Sequence, residues 1–169
     1  MGRFVGRTAD DWGTYVYVKT NAVELFRREI VKPRFASAPT LFISSVTDAW
    51  QGHERKDRLT RGILGVLPDV GYQGRVSILT KSPLIMRDFD LIEKLRWPKV
   101  GITGTTDEDA VGRLYEAQAP RNTQSLAILQ ALSQRQIPSY AFIGPLFTHY
   151  VDAPEKLDRL IAAIAASNV

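Results

Sequence analysis

The stretch Val76-Ser-Ile-Leu-Thr-Lys-Ser-Pro83 decides the fold class of this 169-residue chain. Its apolar and β-branched start is typical of a buried strand, and the polar Thr80-Lys-Ser82 follows where that strand would end. Pro83 suits the first turn of a helix, and apolar residues recur at helical spacing as far as Leu95. The stretch therefore predicts a buried strand joined by a polar turn to an amphipathic helix.

The same pattern recurs on both sides of this stretch. Four further strands are predicted, each followed by one or two helical segments, at 14–19, 41–45, 99–103 and 139–143. The mean spacing of the five strands is about 31 residues, the size of a βαβ unit. Because the strands are nearly continuous apolar runs, we expect a parallel sheet covered by helices on both faces. The prediction is a single α/β domain over residues 1–169 with about five parallel strands.

Composition limits the classes of protein to consider. Apolar residues make up 44% of the chain and charged residues 24%, which are the proportions of a globular domain. No apolar run approaches the roughly 20 residues that span a bilayer, and no apolar signal segment follows residues 1–8. We therefore expect a cytoplasmic protein that does not enter a membrane. The net charge of +4 permits an anionic partner without indicating one.

The chain contains no cysteine. Disulfides, thiolate zinc sites, cysteine nucleophiles and a thiolate-held iron–sulfur cluster are therefore excluded within this chain. The two histidines, His53 and His149, show no metal-ligand spacing, so no metal site is predicted. The phosphate motifs G-x-G-x-x-G and G-x-x-x-x-G-K-[ST] are absent, and no Ser-His-Asp arrangement stands out.

Polar or small residues follow every predicted strand. In parallel α/β folds, ligands gather at the carboxyl ends of the strands. Lys19 and Lys81 stand at two of these ends, and hydroxyl residues are abundant at three. Together they could hold a carboxylate, a ribose or a phosphate. For each single residue the other interpretation stays open, that strand ends are polar because they meet water.

The motifs at these strand ends make residues 14–150 similar to a known family. The chain resembles the radical S-adenosylmethionine proteins of the spore photoproduct lyase kind. The matching segments are, in chain order, Val18-Lys-Thr-Asn-Ala22, Ser45-Val-Thr-Asp-Ala-Trp-Gln51 with Leu59-Thr-Arg61, Thr80-Lys-Ser82, Thr105-Thr-Asp-Glu108 with Glu116, and Gly144-Pro145.

The resemblance implies a partial (β/α) barrel of the radical S-adenosylmethionine type, with S-adenosylmethionine lying across the strand ends. Lys81 would bind the carboxylate or the ribose of this cofactor. The other polar groups of the cofactor would meet residues from neighbouring strand ends, namely Ser44, Ser45, Thr47, Asp48 and Thr103.

The chain lacks the cysteines with which members of the family bind their catalytic cluster. Members hold a [4Fe–4S] cluster through three cysteines in a C-x-x-x-C-x-x-C loop after their first strand. Because this chain has no cysteine, it cannot bind the cluster by itself, and we expect the first βα unit of the barrel to be missing. Gly101 also stands where the family has a serine that touches the cofactor.

These observations lead to the expectation of a truncated or degenerate radical S-adenosylmethionine domain, with no catalytic residue assigned. A missing first strand would leave an exposed element at Tyr15–Val18, which favours self-association or a partner that supplies the missing unit. One alternative is a non-catalytic module that binds S-adenosylmethionine or nucleic acid, with Trp12, Trp50 and Trp97 available for base stacking. Another is an unrelated α/β barrel or flavodoxin-like enzyme acting on a phosphorylated metabolite.

Overall fold

Four parallel strands form the centre of the molecule. The computed structural model describes residues 6, 8, 10, 11, 13–36, 40–150, 153–167 and 169. Within them a single sheet has the strand order β1-β2-β3-β4, and its strands are β1 (Thr40–Ile43), β2 (Arg75–Thr80), β3 (Trp97–Gly104) and β4 (Ser139–Ile143). Because every neighbouring pair is parallel, the carboxyl ends of all four strands lie at one edge of the sheet.

Helical segments connect and precede the strands. They are α1 (Ala22–Ile30), α2 (Pro33–Ala36), α3 (Glu54–Asp57), α4 (Leu59–Asp69), a 3-10 helix (Pro83–Asp88) continuing into α5 (Phe89–Ile92), α6 (Asp109–Tyr115), α7 (Asn122–Gln134), a short 3-10 turn (Thr148–Tyr150) and α8 (Pro154–Ala165). Pro83 begins a helix as predicted, but its first six residues form a 3-10 helix. Ser82 caps that helix by accepting a hydrogen bond from the backbone N–H of Leu84 at 3.3 Å.

The core lies between one face of the sheet and the helices. Val76 and Ile78 of β2, together with Val100 and Ile102 of β3, are almost fully buried. Apolar side chains of the helices join them in a single cluster, which includes Leu64, Leu67, Ile85, Phe89, Ile92, Ile128, Leu129 and Leu132. Burial of these side chains supplies the main stabilisation of the domain. The α/β fold class predicted from the sequence is thereby confirmed.

The opposite face of the sheet is largely open within the described residues. Because side chains alternate along a strand, Phe42 of β1, Lys99 of β3 and Phe142 of β4 belong to this face. Phe42 is 45% exposed and Phe142 is 48% exposed. The phenol end of Tyr140 lies against Gly101 of the neighbouring strand: a Cβ atom on Gly101 would lie 2.3 Å from Cζ of the Tyr140 ring. We call this surface the open face.

The prediction of a strand at 14–19 was wrong, and the described residues contain four strands instead of about five. Val16 and Tyr17 are 52% and 57% exposed, and the segment does not join the ladder of β1. Tyr15 and Tyr17 instead pack edge to face, with ring centroids 5.4 Å apart. A β-branched and aromatic composition favours a strand only where the segment is paired and half-buried, and this segment is not.

No helix in the described part of the chain is long and apolar enough to cross a membrane.

Candidate functional site

Asp48 connects the carboxyl ends of β1 and β2. Its Oδ1 accepts hydrogen bonds from the backbone N–H of Trp50 at 2.8 Å and from the Thr80 hydroxyl at 2.7 Å. Its Oδ2 accepts a hydrogen bond from the backbone N–H of Lys81 at 2.9 Å. The carboxylate therefore fixes the backbone from which the Lys81 side chain extends.

Lys81 reaches across to the segment that follows β3. Its ammonium forms an ion pair with Glu116, and the two side chains are 28% and 25% exposed. The Thr105 hydroxyl lies 3.1 Å from Glu116 Oε2 and 3.2 Å from Asn122 Oδ1, so it can donate to either acceptor. Tyr150 donates to the Thr105 backbone carbonyl at 2.9 Å. We call these side chains, with Asp48 and Thr80, the strand-end network.

The remaining predicted site residues are only partly drawn into this network. Ser44 accepts a hydrogen bond from the backbone N–H of Ala49 at 2.9 Å and adopts a left-handed backbone with φ of 77°. It therefore shapes the turn that carries Asp48. Ser45 and Thr47 lie exposed on that turn. Thr103 is buried within β3, and its carbonyl accepts a hydrogen bond from Ser125 at 3.2 Å. The structure thus brings Asp48 and Lys81 together, with Ser44 on the turn that carries Asp48, and it does not place Ser45, Thr47 or Thr103 in the network.

A groove of about 680 Å³ opens beside the network. Its walls come from the loop after β1, from the start of the 3-10 helix and from the segment that leads into α7. Its volume lies within the usual range for small-molecule sites, about 300–1,000 Å³. Polar side chains that line it are Asp48, Gln51, Arg55, Ser82, Gln118 and Gln124.

A buried ionic cluster holds the loop after β1 in place. Asp88 is fully buried and accepts hydrogen bonds from Trp50 Nε1 at 2.8 Å, from Arg61 at 3.0 Å and from Arg87 at 2.8 Å. Burial alone would raise the pKa of Asp88, but the bonds from Arg87, Arg61 and Trp50 outweigh it, so the pKa lies below its ordinary value. Trp50 is 1% exposed and is unavailable for base stacking.

Sequence reasoning assigned no role to Glu116, Asn122 or Tyr150. Glu116 belongs to a segment that resembles the family, but it lies 35 positions from Lys81 and no periodicity links the two. The glutamines that line the groove also lack a motif that would predict a role in binding. Only the tertiary structure brings these side chains together.

Among the described residues, no group of three or more His, Cys, Asp or Glu side chains could hold a metal ion. Trp12 and the side chain of His149 lie outside the described part of the structure.

The chain is similar to uncharacterized proteins from archaea and bacteria. It is 33% identical over 141 residues to an uncharacterized protein of Methanocaldococcus jannaschii, covering 83% of this chain and 51% of that protein. It is 29% identical over 160 residues to uncharacterized proteins of Mycobacterium bovis and Mycobacterium tuberculosis, covering 93% of this chain and 46% of each. No family model and no solved structure matches the chain. The chain therefore spans about half the length of the curated relatives that it matches.

Proposed function

We propose that this chain is a partial (β/α) barrel of the radical S-adenosylmethionine type, which binds S-adenosylmethionine at its strand ends and has no ligands for the iron–sulfur cluster. One observation carries the proposal. Three segments that resemble the family, around Asp48, Thr80–Ser82 and Thr105–Glu116, are joined by direct hydrogen bonds or ion pairs at one edge of the sheet.

The strand-end network suits the chemistry of S-adenosylmethionine. Lys81 can donate to a carboxylate or a ribose hydroxyl, since its side chain is partly exposed and its backbone is fixed by Asp48. The neighbouring groove has room for a nucleoside-sized group. In the family, S-adenosylmethionine is cleaved reductively when a cluster supplies the electron.

The [4Fe–4S] cluster does not suit this chain. Three thiolates are required and the sequence contains no cysteine, so no step through a cluster is assigned to these residues. In this proposal the chain acts as a binding domain, and cleavage requires a βα unit with cysteines from a partner. The relatives, about twice as long as the matched region, are compatible with such a further unit.

Calorimetric titration with S-adenosylmethionine tests the binding. We expect saturable binding that Lys81→Ala weakens about tenfold or more, because a charge-assisted hydrogen bond contributes roughly 1.5–3 kcal/mol. Lys94→Ala is the matched control, since Lys94 is an exposed lysine away from the network. Absence of binding to the unaltered chain would refute the proposal.

Reconstitution tests the part of the proposal that concerns the cluster. The chain is incubated anaerobically with iron and sulfide, then with S-adenosylmethionine and dithionite. We expect neither cluster absorbance nor 5′-deoxyadenosine. Detection of either product with the isolated chain would overturn the assignment.

The open face favours a second candidate function, the binding of single-stranded nucleic acid. Phe42 of β1 and Phe142 of β4 are half exposed at the two edges of one sheet face, and the Lys99 ammonium lies 5.2 Å from the centre of the Tyr140 ring. Aromatic side chains with a nearby cation are typical of stacking surfaces for unpaired bases. Fluorescence anisotropy with a labelled oligonucleotide tests this function. We expect binding that Phe142→Ala weakens and that depends only shallowly on salt, as the small net charge requires.

A further inference from the structure

Arg55 presents an unpaired positive charge to the groove of about 680 Å³ beside the strand-end network. It is an exposed residue of α3, and its guanidinium has no hydrogen-bond or ion-pair partner among the described residues. Arg61 and Arg87, by contrast, are both bound to carboxylates of the protein. A guanidinium that lines a groove without a carboxylate partner is available to an anionic ligand.

The groove offers such an anion little repulsion. Asp48 is the single acidic residue among the described residues that line it. The oxygens of Asp48 already accept hydrogen bonds from the Trp50 N–H, the Thr80 hydroxyl and the Lys81 N–H. Because these fixed donors compensate the charge of Asp48, Arg55 determines the sign of the groove. The groove therefore favours an anionic ligand over a cationic one.

Three exposed glutamines from separate segments also line the groove, namely Gln51 after β1, Gln118 before α7 and Gln124 within α7. The side chains of Gln51 and Gln118 make no hydrogen bond among the described residues. Gln124 accepts one from the backbone N–H of Arg121 at 3.2 Å, which leaves its amide donors free. A glutamine amide carries donors and an acceptor, as a peptide bond does. The groove therefore complements a ligand that carries amide groups as well as a negative charge.

The lining favours a carboxylate over a phosphate. Phosphates are typically bound where free backbone N–H groups converge, as at a helix N-terminus. Pro83 has no N–H, and the N–H of Leu84 is bonded to Ser82 at 3.3 Å, so these residues of the wall offer a phosphate no donor. One guanidinium balances the single charge of a carboxylate. Pro83 and Leu84, with Ala119 and Pro120 opposite in sequence, add apolar surface for the rest of the ligand.

We propose that the groove binds the C-terminal end of a peptide, with the terminal carboxylate on Arg55 and the last amide groups on the glutamines. A guanidinium can donate two parallel hydrogen bonds to a carboxylate, which selects for this group. The inference goes beyond the proposed function and does not depend on it, because neither Lys81 nor Glu116 lines the groove.

Nuclear magnetic resonance with the isotope-labelled full chain tests the inference. The probes are N-acetylated alanyl-leucine with a free carboxylate, the same dipeptide with its carboxylate amidated, and inorganic phosphate. We expect the free acid to shift the side-chain N–H signals of Arg55 and of the three glutamines. It should bind at least about threefold more tightly than the amide, since the amide cannot form the ion pair with an exposed arginine.

Arg55→Gln should abolish the preference for the free acid and retain the weaker binding of the amide. Lys56→Gln is the matched control, since Lys56 is the next residue of α3, is exposed and does not line the groove. This control should keep the preference. Both substitutions are at exposed residues without a partner among the described residues, so the fold should be retained. The affinity for the amide shows whether the groove is intact in each variant.

Three outcomes would overturn the inference. They are the absence of binding by the free acid, equal affinities of the acid and the amide for the unaltered chain, and a larger shift of the Arg55 signal with phosphate than with the acid. Because the proposed function places part of S-adenosylmethionine in the same groove, peptide and cofactor are titrated separately. Failure to bind S-adenosylmethionine would refute the proposed function alone.

Discussion

At the scale of single residues, the carboxylates after the strands divide into two kinds. Asp88 is fully buried and is surrounded by Trp50, Arg61 and Arg87, whereas Glu116 keeps a quarter of its side chain exposed. Asp48 was predicted to meet a cofactor, and its oxygens accept bonds from the protein's own backbone and from Thr80. Its contribution to a site is therefore to position Lys81. A sequence cannot distinguish these roles, because each depends on donors that approach from other strands.

Asp88→Asn should destabilise the protein strongly. The substitution places an amide N–H₂ group against buried arginine donors, and removal of one partner from a buried ionic cluster costs about 3–5 kcal/mol. Urea unfolding followed by circular dichroism measures the loss. Asp69→Asn is the control, because its pair with Arg27 is half exposed on both sides and should contribute less than about 1 kcal/mol. Equal effects of the two substitutions would contradict the burial argument.

Acid should weaken the fold by protonating aspartates that are paired with arginines. The pKa of Asp107 is lowered by its bond from Arg159, that of Asp90 by its bond from Arg61, and that of Asp88 by its cluster despite burial. A lowered pKa in the folded state stabilises the protein above the ordinary aspartate value of about 3.9, and the gain is lost as the pH falls below it. We expect Tm to decrease steeply from about pH 4 downward. A Tm that stays constant to pH 2 would contradict this linkage.

At the scale of helices and strands, the sequence predicted what local pattern controls. The strands at 76–80, 99–103 and 139–143 and the helices after them are confirmed, because their apolar residues face a shared core. The segment 14–19 has equal β-propensity but does not join the sheet, since pairing requires a partner strand and not composition alone. From the sequence, the strand-end network could be assigned to the carboxyl edge of the sheet, but its pairs could not be predicted. The pairing of Lys81 with Glu116 arises from tertiary structure.

Gly101→Ala should destabilise β3 through its contact with β4. The new Cβ would lie 2.3 Å from Cζ of Tyr140 and 2.6 Å from its hydroxyl oxygen, so the ring must move. Such overpacking costs about 1–3 kcal/mol. Chemical denaturation of the single variant and of Gly101→Ala/Tyr140→Leu measures the coupling. In the double variant, the cost of the alanine should largely disappear.

Gly104→Ala is the matched control for this experiment. Gly104 also lies in β3, but a Cβ there would meet no atom within 4 Å. We expect this substitution to change stability by about 0.5 kcal/mol at most. Equal destabilisation at both glycines would mean that backbone flexibility, and not the Tyr140 contact, determines the effect.

At the scale of the whole molecule, one side of the sheet is covered and the other is open. The helices bury Val76, Ile78, Val100 and Ile102, while Phe42 and Phe142 remain about half exposed. Within the described residues, β1 pairs only with β2 and its other edge carries no strand. The apolar strands predicted a sheet covered on both faces, whereas one face is largely open within the described residues. Apolar residues along a strand therefore do not determine whether a helix covers each face.

The chain should self-associate through its exposed N-terminal segment and through the edge of β1 that carries no strand among the described residues. Val16, Tyr17 and Val18 are 52%, 57% and 39% exposed, and unpaired strand edges favour association. Size-exclusion chromatography with light scattering should show a mass that increases with concentration. Val16→Lys should shift the mass toward the monomer, whereas Val46→Lys, at a loop position that is 68% exposed, should not. A monomer at all concentrations would contradict the prediction.

The strands follow one another in space in the same order as along the chain. Among the described residues no strand is inserted between two earlier ones, so a cut in the loop between β2 and β3 divides the sheet along a single seam. That seam is a ladder of six residue pairs, from Arg75 with Trp97 to Thr80 with Ile102. Two fragments expressed separately would therefore need to recover this ladder, the ion pair of Lys81 with Glu116 and the helix packing beside them. The same strand order allows further βα units to be added beside β1 or beside β4 without any change in the order of the existing strands.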